Sequence, residues 1–258
     1  MNIKSYCISL KENKKERVRC QKIFDKYKLD VEFEIVDRSP KGGLYGCFES
    51  HINVLKKGIA HFKRNKCSNK GSNKGSNKGS NKGSTNNNYI FIMEDDVYFE
   101  TDTLFDKQES FLLSLDNNIN WCYNLGYLTN YASFKVKNED IVRISNCQCT
   151  HAYLVPIHTA IKLSNINWKG LGIDYAWLDV IDIFYAPYPM IAYQKYHASS
   201  ISSGDMMTCM LSIFGFKNVA LLSQTWSHHR YLFYSIIIIL FFILIIFLMI
   251  YYKIYFTI

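Results

Sequence analysis

The apolar and polar residues of the first forty positions follow a pattern that predicts a strand, a helix and a second strand. The apolar run from Ile3 to Leu10 is typical of a strand, and the alternation from Val31 to Val36 indicates another. Between them, positions 13–28 carry apolar residues at helical intervals, namely Cys20, Ile23, Phe24 and Tyr27. This order predicts a right-handed βαβ unit and therefore an α/β fold.

A second helix and a buried strand follow. After Gly46, apolar residues recur at helical spacing, namely Phe48, Ile52, Leu55, Ile59 and Phe62. The run from Tyr89 to Met93 is wholly apolar, which indicates a strand covered on both faces. It leads directly into Glu94, Asp95 and Asp96. Because open α/β sheets bind ligands beyond the carboxyl ends of their strands, this acidic end is a candidate site.

Weaker patterns predict the remaining elements. We expect a helix over 103–115, strands near 121–126, 141–144 and 151–155, and a helix after Pro156. Two prolines in 183–193 favour an edge strand or a loop there. Asp174 is expected to cap the N-terminus of a short helix. Residues 206–226 carry no strong pattern.

Two segments differ in composition from the rest. Residues 67–88 repeat Lys-Gly-Ser-Asn and bury too little apolar surface to order, so we predict a flexible, disordered insert. Residues 231–252 carry no charge and are apolar on all sides. About 20 such residues span a bilayer core of roughly 30 Å, so we predict a transmembrane helix. Tyrosines flank it, as is typical of membrane interfaces.

These segments predict a domain organisation. The globular domain is expected over 1–205, a linker over 206–230, the span over 231–252 and a short tail over 253–258. The N-terminus shows no secretory signal, so we expect a tail-anchored, single-pass membrane protein whose globular domain is cytosolic.

Charge and cysteine content narrow the function classes. The net charge is +8, but Lys70, Lys74, Lys78 and Lys82 of the insert contribute half of it. Since no recognition motif accompanies the charge, we predict no nucleic-acid binding. The eight cysteines are scattered without an evident metal-binding spacing, which favours a reducing compartment.

The acidic strand end suggests a metal site. Three adjacent carboxylates repel one another unless a cation lies among them, and a hard divalent cation prefers such oxygen ligands. The alternative is a solvated acidic turn. Ser50 and His51 lie near a helix start, where backbone N–H groups can face an anion, although for His51 taken alone a structural histidine is the favoured interpretation.

Several motifs, taken in order, resemble glycosyltransferase family 25, which includes lipooligosaccharide galactosyltransferases and procollagen galactosyltransferase domains. The family's Gly-Cys-x-x-Ser-His signature is similar to residues 46–51, and its strand ending in Glu-Asp-Asp is similar to 90–96. The opening strand with Arg17, the Ala-Tyr-Leu segment at 152–155 and the later Asp174 extend the resemblance over 1–205 without the insert. Two positions depart from the family, because Ser9 replaces a frequent asparagine and Cys122 a common aspartate.

The resemblance implies a GT-A-like (Rossmann-like) nucleotide-sugar-binding domain. It would transfer a hexose, galactose or glucose, from a UDP-sugar to a hydroxyl of a glycan or protein acceptor, with inversion. Mn²⁺ or Mg²⁺ would stabilise the departing diphosphate. Asp96 is the first expected metal ligand and Glu94 the second. Asp174 is the expected catalytic base, with Asp179 in reserve, and donor contacts are expected from Asp37, Ser50, His51 and Asp95.

Alternatives remain open at this point. Asp174 is equally well explained as a helix cap. The whole chain is alternatively a catalytically inactive, membrane-anchored binding module with a glycosyltransferase-like domain, as the insert and the departures at Ser9 and Cys122 suggest. Metal-dependent phosphodiester cleavage by the same carboxylates has no supporting motif.

Overall fold

The computed structural model describes residues 1–68, 87–128, 134–136, 140–145, 147, 149–195 and 206–256. Its strands are β1 (Asn2–Leu10), β2 (Val31–Val36), β3 (Asn88–Glu94), β4 (Val97–Phe99), β5 (Trp121–Asn124), β6 (Phe134–Lys135), β7 (Ile141–Ile144), β8 (Ala152–Pro156), β9 (Ile183–Pro187) and β10 (Ala192–Gln194). Its helices are α1 (Lys14–Lys26), α2 (Gly43–Ser68), α3 (Glu109–Ser114), α4 (Ile157–Leu163), α5 (Ile173–Ala176) and α6 (Met206–Phe256). Most of the predicted insert lies outside the described residues.

Eight of these strands form one mixed sheet in the order β2-β1-β3-β8-β5-β9-β7-β6. The β1–β2, β1–β3 and β5–β9 pairs are parallel, which confirms the predicted βαβ connection and the α/β class. Strand β8 runs antiparallel between β3 and β5. The remaining two strands, β4 and β10, pair antiparallel in a small second sheet.

Strand β3 is covered on both faces, as its continuous apolar run predicts. Ile90 and Ile92 pack with residues of α2 and α4 on one face, whereas Phe91 and Met93 pack with residues of α1 on the other. The α2 helix approaches β3 closely at Gly58, where an added Cβ would lie 2.5 Å from the Ile90 side chain. The buried layers on both faces fix the position of the acidic end of β3.

Several predicted elements differ in the structure. The helix expected over 103–115 is helical only in α3, Glu109–Ser114. Asp174 is not an N-cap, because that position belongs to Gly172 and Asp174 lies inside α5. The expected edge strand over 183–193 is instead β9, an interior strand between β5 and β7, followed by β10. The prolines are accommodated because Pro187 ends β9 and Pro189 lies between the two strands.

The segment 206–230 is helical except at Gly215 and continues into the apolar segment as α6. Gly215, with φ of 75°, is the position within α6 whose backbone is not helical. Beyond it, Val219, Ala220 and Gln224 are buried, and Gln224 accepts a hydrogen bond from the backbone N–H of Met190 at 3.4 Å. This part of α6 therefore packs on the globular domain instead of forming a free linker.

Further along α6, the residues His229–Tyr252 are long and apolar enough to cross a membrane. This stretch has a mean hydropathy of 3.2 over its most apolar window and is not buried against the protein. The predicted span at 231–252 lies within it.

Candidate functional site

The acidic residues lie in a tight turn between β3 and β4 that is held by backbone hydrogen bonds from three directions. Glu94 N–H donates to the His151 carbonyl at 3.0 Å, and Asp95 N–H donates to the Ile8 carbonyl at 3.0 Å. Lys195 N–H donates to the Asp96 carbonyl at 2.8 Å. The two sheets and the start of β8 therefore position the three carboxylates together.

Glu94 is held in its ionised form. Thr150 Oγ1 donates to Glu94 Oε1 at 2.7 Å, and His51 Nε2 lies 3.3 Å from the same oxygen. Burial acts to raise the pKa of Glu94, but the hydrogen bonds from His51 and Thr150 outweigh it, so the pKa lies below its ordinary value.

His51 is 1 % exposed and is fixed by two contacts from α2 into the sheet. Its Nδ1 lies 2.9 Å from Tyr153 Oη, and its ring stacks on that of Tyr153. Ser50 is also buried, but its hydroxyl donates to the Gly46 carbonyl within the same helix at 2.6 Å. His51 thus reaches the acidic turn directly, whereas the Ser50 hydroxyl is engaged by α2 itself.

The surroundings of Asp96 shift its pKa in the opposite direction from that of Glu94. Its Oδ2 accepts a hydrogen bond from Gln194 Nε2 at 2.6 Å, while its Oδ1 is buried and has no partner among the described residues. Burial raises the pKa of Asp96 well above its ordinary value, and the charges of Glu94 and Asp95 raise it further. An oxygen in this state suits a cation that would neutralise the turn.

Asp95 points toward β1 and α1. Its Oδ2 accepts hydrogen bonds from Ser9 Oγ at 2.6 Å and Asn13 Nδ2 at 3.0 Å. Arg17 Nη1 in turn donates to Ser9 Oγ at 2.9 Å. Burial raises the pKa of Asp95, and these two hydrogen bonds oppose that rise. Position 9, which departs from the family, therefore still contacts the acidic turn.

Asp174 lies within electrostatic reach of this group. Its Oδ1 accepts a hydrogen bond from the Tyr175 N–H at 3.1 Å, and it also interacts with the Cys149 backbone. Burial raises the pKa of Asp174, and the charge of Glu94 adds to the rise. The structure thus brings Asp174 toward the same side as Glu94.

Two predicted residues lie apart from this group. Asp179 is exposed and pairs with Lys169 Nζ at 2.6 Å. Asp37 follows β2 and forms an exposed ion pair with Lys11 at 3.5 Å. Because β2 runs parallel to β1 and β3, Asp37 still lies at the carboxyl edge of the sheet.

Several residues that contact the site were not among the predicted site residues, and Thr150, Gln194 and Tyr153 are three of them. Thr150 and Gln194 bind the acidic turn, and Tyr153 positions His51. Thr150 precedes β8 and Gln194 ends β10, so their positions depend on antiparallel pairings that local patterns do not specify. Tyr153 lies in the Ala-Tyr-Leu segment that resembles family 25. That resemblance is the one feature of the sequence that could have pointed to Tyr153.

Comparisons with known proteins show similarity to solved structures. No family model matches the chain. No curated protein matches it either. Among solved structures, the chain is similar to the crystal structure of a glycosyltransferase involved in the glycosylation of the major capsid of PBCV-1. The TM-score is 0.38 and the identity 8 %, over 76 % of this chain and 95 % of that one.

Proposed function

We propose that this protein is a metal-assisted glycosyltransferase that transfers galactose or glucose from a UDP-sugar to a hydroxyl group of a glycan or protein acceptor. The observation that carries the proposal is the Glu94–Asp96 turn at the carboxyl end of β3, where one buried carboxylate oxygen has no partner among the described residues. The ordered motifs that resemble family 25 support the same function.

The donor atoms of the turn fit Mn²⁺ or Mg²⁺. Asp96 offers Oδ1, and Glu94 adds a second, ionised carboxylate, so the set consists of the oxygen ligands that hard cations prefer. When bound, such a cation stabilises the negative charge that develops on a leaving diphosphate. His51 and Thr150 would keep Glu94 oriented toward it, and Gln194 would orient Asp96.

Asp174 is the proposed base. An inverting transfer requires a carboxylate that removes the proton of the acceptor hydroxyl. The raised pKa of Asp174 makes it a better proton acceptor than an exposed aspartate, because basicity rises with pKa. Asp179 is the less favoured choice, since it is exposed and paired with Lys169.

Donor contacts are proposed along the carboxyl edge of β2, β1 and β3. Asp37 lies at this edge beside Lys11, and Asp95 lies between the edge and α1. Open α/β sheets bind nucleotides along this edge. In this proposal His51 acts through Glu94, while Asp95 holds the turn and faces the ribose side of the donor.

We further propose that α6 anchors the protein in a membrane through His229–Tyr252, with the globular domain on the cytosolic side. Nucleotide sugars are expected on that side. Protease treatment of sealed membranes tests the orientation. Protection of the globular domain from an externally added protease, in vesicles with their cytosolic face outward, would contradict it.

The transferase activity is tested with the full chain in detergent, Mn²⁺ and a panel of UDP-sugars. We expect release of UDP with at least one sugar and a loss of about 100-fold or more in Asp96→Ala, comparable to removing one transition-state contact. Asp106→Ala changes an exposed aspartate with no proposed role in the site, so it is the matched control and should retain activity. If no UDP-sugar binds or is hydrolysed, and Asp96→Ala behaves as the parent, the protein is the inactive module instead.

A further inference from the structure

A thiol and an imidazole of helix α2 converge on Glu94. Cys47 and His51 are four residues apart on α2, so their side chains leave the same face of the helix one turn apart. Glu94 reaches the same point from the end of β3. One ligand atom of each residue lies within 4.8 Å of the other two.

We propose that Cys47, His51 and Glu94 form a second cation site, which binds Zn²⁺ in preference to the hard cations expected at Asp96. Sulfur, nitrogen and a single carboxylate are the ligand types that zinc takes, whereas Mg²⁺ and Mn²⁺ favour sets made of oxygen. Three protein ligands leave a fourth tetrahedral position for water or an anion. Cys47 and Glu94 are partly exposed, so a cation can enter from solvent.

The pair that is already closest has the spacing of two zinc ligands. His51 Nε2 and Glu94 Oε1 are 3.3 Å apart. A tetrahedral zinc ion with bonds of about 2.0–2.1 Å separates two such ligand atoms by about 3.4 Å. The carboxylate and the imidazole therefore need little movement to bind zinc. The Cys47 side chain would rotate to bring its sulfur to the ion.

Tyr153 gives His51 the support that a metal-binding histidine requires. Tyr153 Oη lies 2.9 Å from His51 Nδ1 and, as a hydroxyl, it both donates and accepts. Without a cation, Tyr153 can donate to Nδ1 while Nε2–H donates to Glu94. With a cation on Nε2, the proton lies on Nδ1 and is donated to Tyr153, an arrangement typical of metal-bound histidine.

Glu94 would be shared between the two sites, and this consequence rests on the proposed transferase function. A zinc ion on Cys47, His51 and Glu94 withdraws Glu94 from the Mn²⁺ that Asp96 holds. We therefore expect Zn²⁺ to inhibit the Mn²⁺-dependent transfer, and Cys47→Ser to relieve that inhibition because the thiolate ligand is lost.

Cobalt substitution tests the site directly. The full chain in detergent is stripped with a chelator and titrated with Co²⁺, which reports a sulfur ligand by a near-ultraviolet charge-transfer band and tetrahedral geometry by intense visible bands. We expect both signals to saturate at one equivalent and to disappear when Zn²⁺ is added. Cys47→Ser and His51→Ala should weaken binding about 100-fold or more, since changes that only support a ligand already cost about 10–100-fold.

Matched controls separate this proposal from the transferase proposal. Cys149→Ser removes a neighbouring thiol outside the triad and should keep the charge-transfer band, and Asp96→Asn should keep it while abolishing Mn²⁺-dependent activity. Absence of the band in the parent protein, or its retention in Cys47→Ser, overturns the zinc site whatever the transferase assay gives. Near-ultraviolet circular dichroism of each variant confirms that it is folded.

Discussion

At the scale of single residues, Glu94 and Asp96 are two neighbouring carboxylates whose surroundings shift their pKa values in opposite directions. Glu94 accepts hydrogen bonds from Thr150 and from His51, which stabilise its charge. Asp96 accepts one from Gln194 and is buried beside that charge. Neighbouring carboxylates whose pKa values are shifted in opposite directions occur often at functional sites, where burial and like charges shift pKa values.

Asp96→Asn should stabilise the metal-free protein at neutral pH. The raised pKa means that the folded state binds the Asp96 proton more tightly than the unfolded chain does. The contribution is therefore favourable below the unfolded pKa of about 3.9 and is lost as the pH rises through the folded pKa. We expect a gain on the order of 1 kcal/mol or more in the free energy of unfolding at pH 7, since one pKa unit corresponds to about 1.4 kcal/mol.

Urea unfolding of both proteins, metal-free at pH 7 and at pH 4, measures this effect. The difference between them should shrink at pH 4, which is close to the unfolded pKa of about 3.9, because Asp96 of the unfolded chain is then about half protonated. Glu94 behaves in the opposite way, because its lowered pKa contributes stability above its unfolded pKa that is lost as the pH falls. A variant less stable than the parent at pH 7 would contradict our account of Asp96.

Ser9→Ala should destabilise the fold and disturb the acidic turn. Ser9 is buried, and its hydroxyl joins Arg17 to Asp95. Its removal leaves part of the Asp95 carboxylate without a partner, which costs about 1–3 kcal/mol. Ser50→Ala is the matched control, since the buried Ser50 hydroxyl bonds only a carbonyl of its own helix in the contacts described here. Thermal unfolding of both variants measures the effect. An equal loss of stability in Ser9→Ala and Ser50→Ala would argue against a special role for Ser9.

At the scale of elements, the sequence predicts those parts of the fold that depend on local periodicity. The βαβ unit, α2 and β3 follow from runs of apolar residues that each element buries, and the acidic end of β3 follows with them. The position of β9 inside the sheet and the pairing of β4 with β10 depend on residues far apart in sequence. For that reason the position of Glu94 and Asp96 at a strand end was predictable, whereas the contact of Gln194 with Asp96 was not.

Gly126→Ala should damage the site through the small second sheet. An added Cβ at Gly126 would lie 2.1 Å from the Ala192 carbonyl oxygen and 2.4 Å from His151 Nε2. The contact is with backbone, so rotation of a side chain cannot relieve it. Strand β10 must therefore shift, and Gln194 shifts with it. We expect a loss of about 3 kcal/mol or more, at the upper end of overpacking costs, and weaker Mn²⁺ binding.

Gly42→Ala is the control for this change. Gly42 has a positive φ of 97° but open space around its Cβ position, so its replacement costs backbone strain alone. Such strain is on the order of 1–2 kcal/mol. Calorimetric Mn²⁺ titration of both variants compares them. Equal Mn²⁺ affinities in Gly126→Ala and the parent would show that β10 does not position Asp96.

At the scale of the whole molecule, α6 joins the globular domain to the apolar segment without a helix break after Gly215. Lys217 pairs with Glu100 at 2.6 Å, and Ala220 is fully buried against the domain. The apolar stretch begins at His229, which follows Ala220 by nine residues, or about 14 Å of helix. The acidic turn lies next to this docking surface, because β10 contacts both α6 and β4.

Ala220→Arg should release α6 from the domain while leaving the domain folded. Ala220 is 0 % exposed, so a long charged side chain cannot be accommodated at the contact. Leu222 on the same helix is 60 % exposed, so Leu222→Arg is the matched control. Both variants gain one charge and one trypsin site within two residues of each other. In membranes, we expect trypsin to cut Ala220→Arg near Lys217 several times faster than Leu222→Arg, because local release exposes the backbone. Equal cleavage rates would show that the helix is not docked, and the domain would then move freely at the end of its anchor.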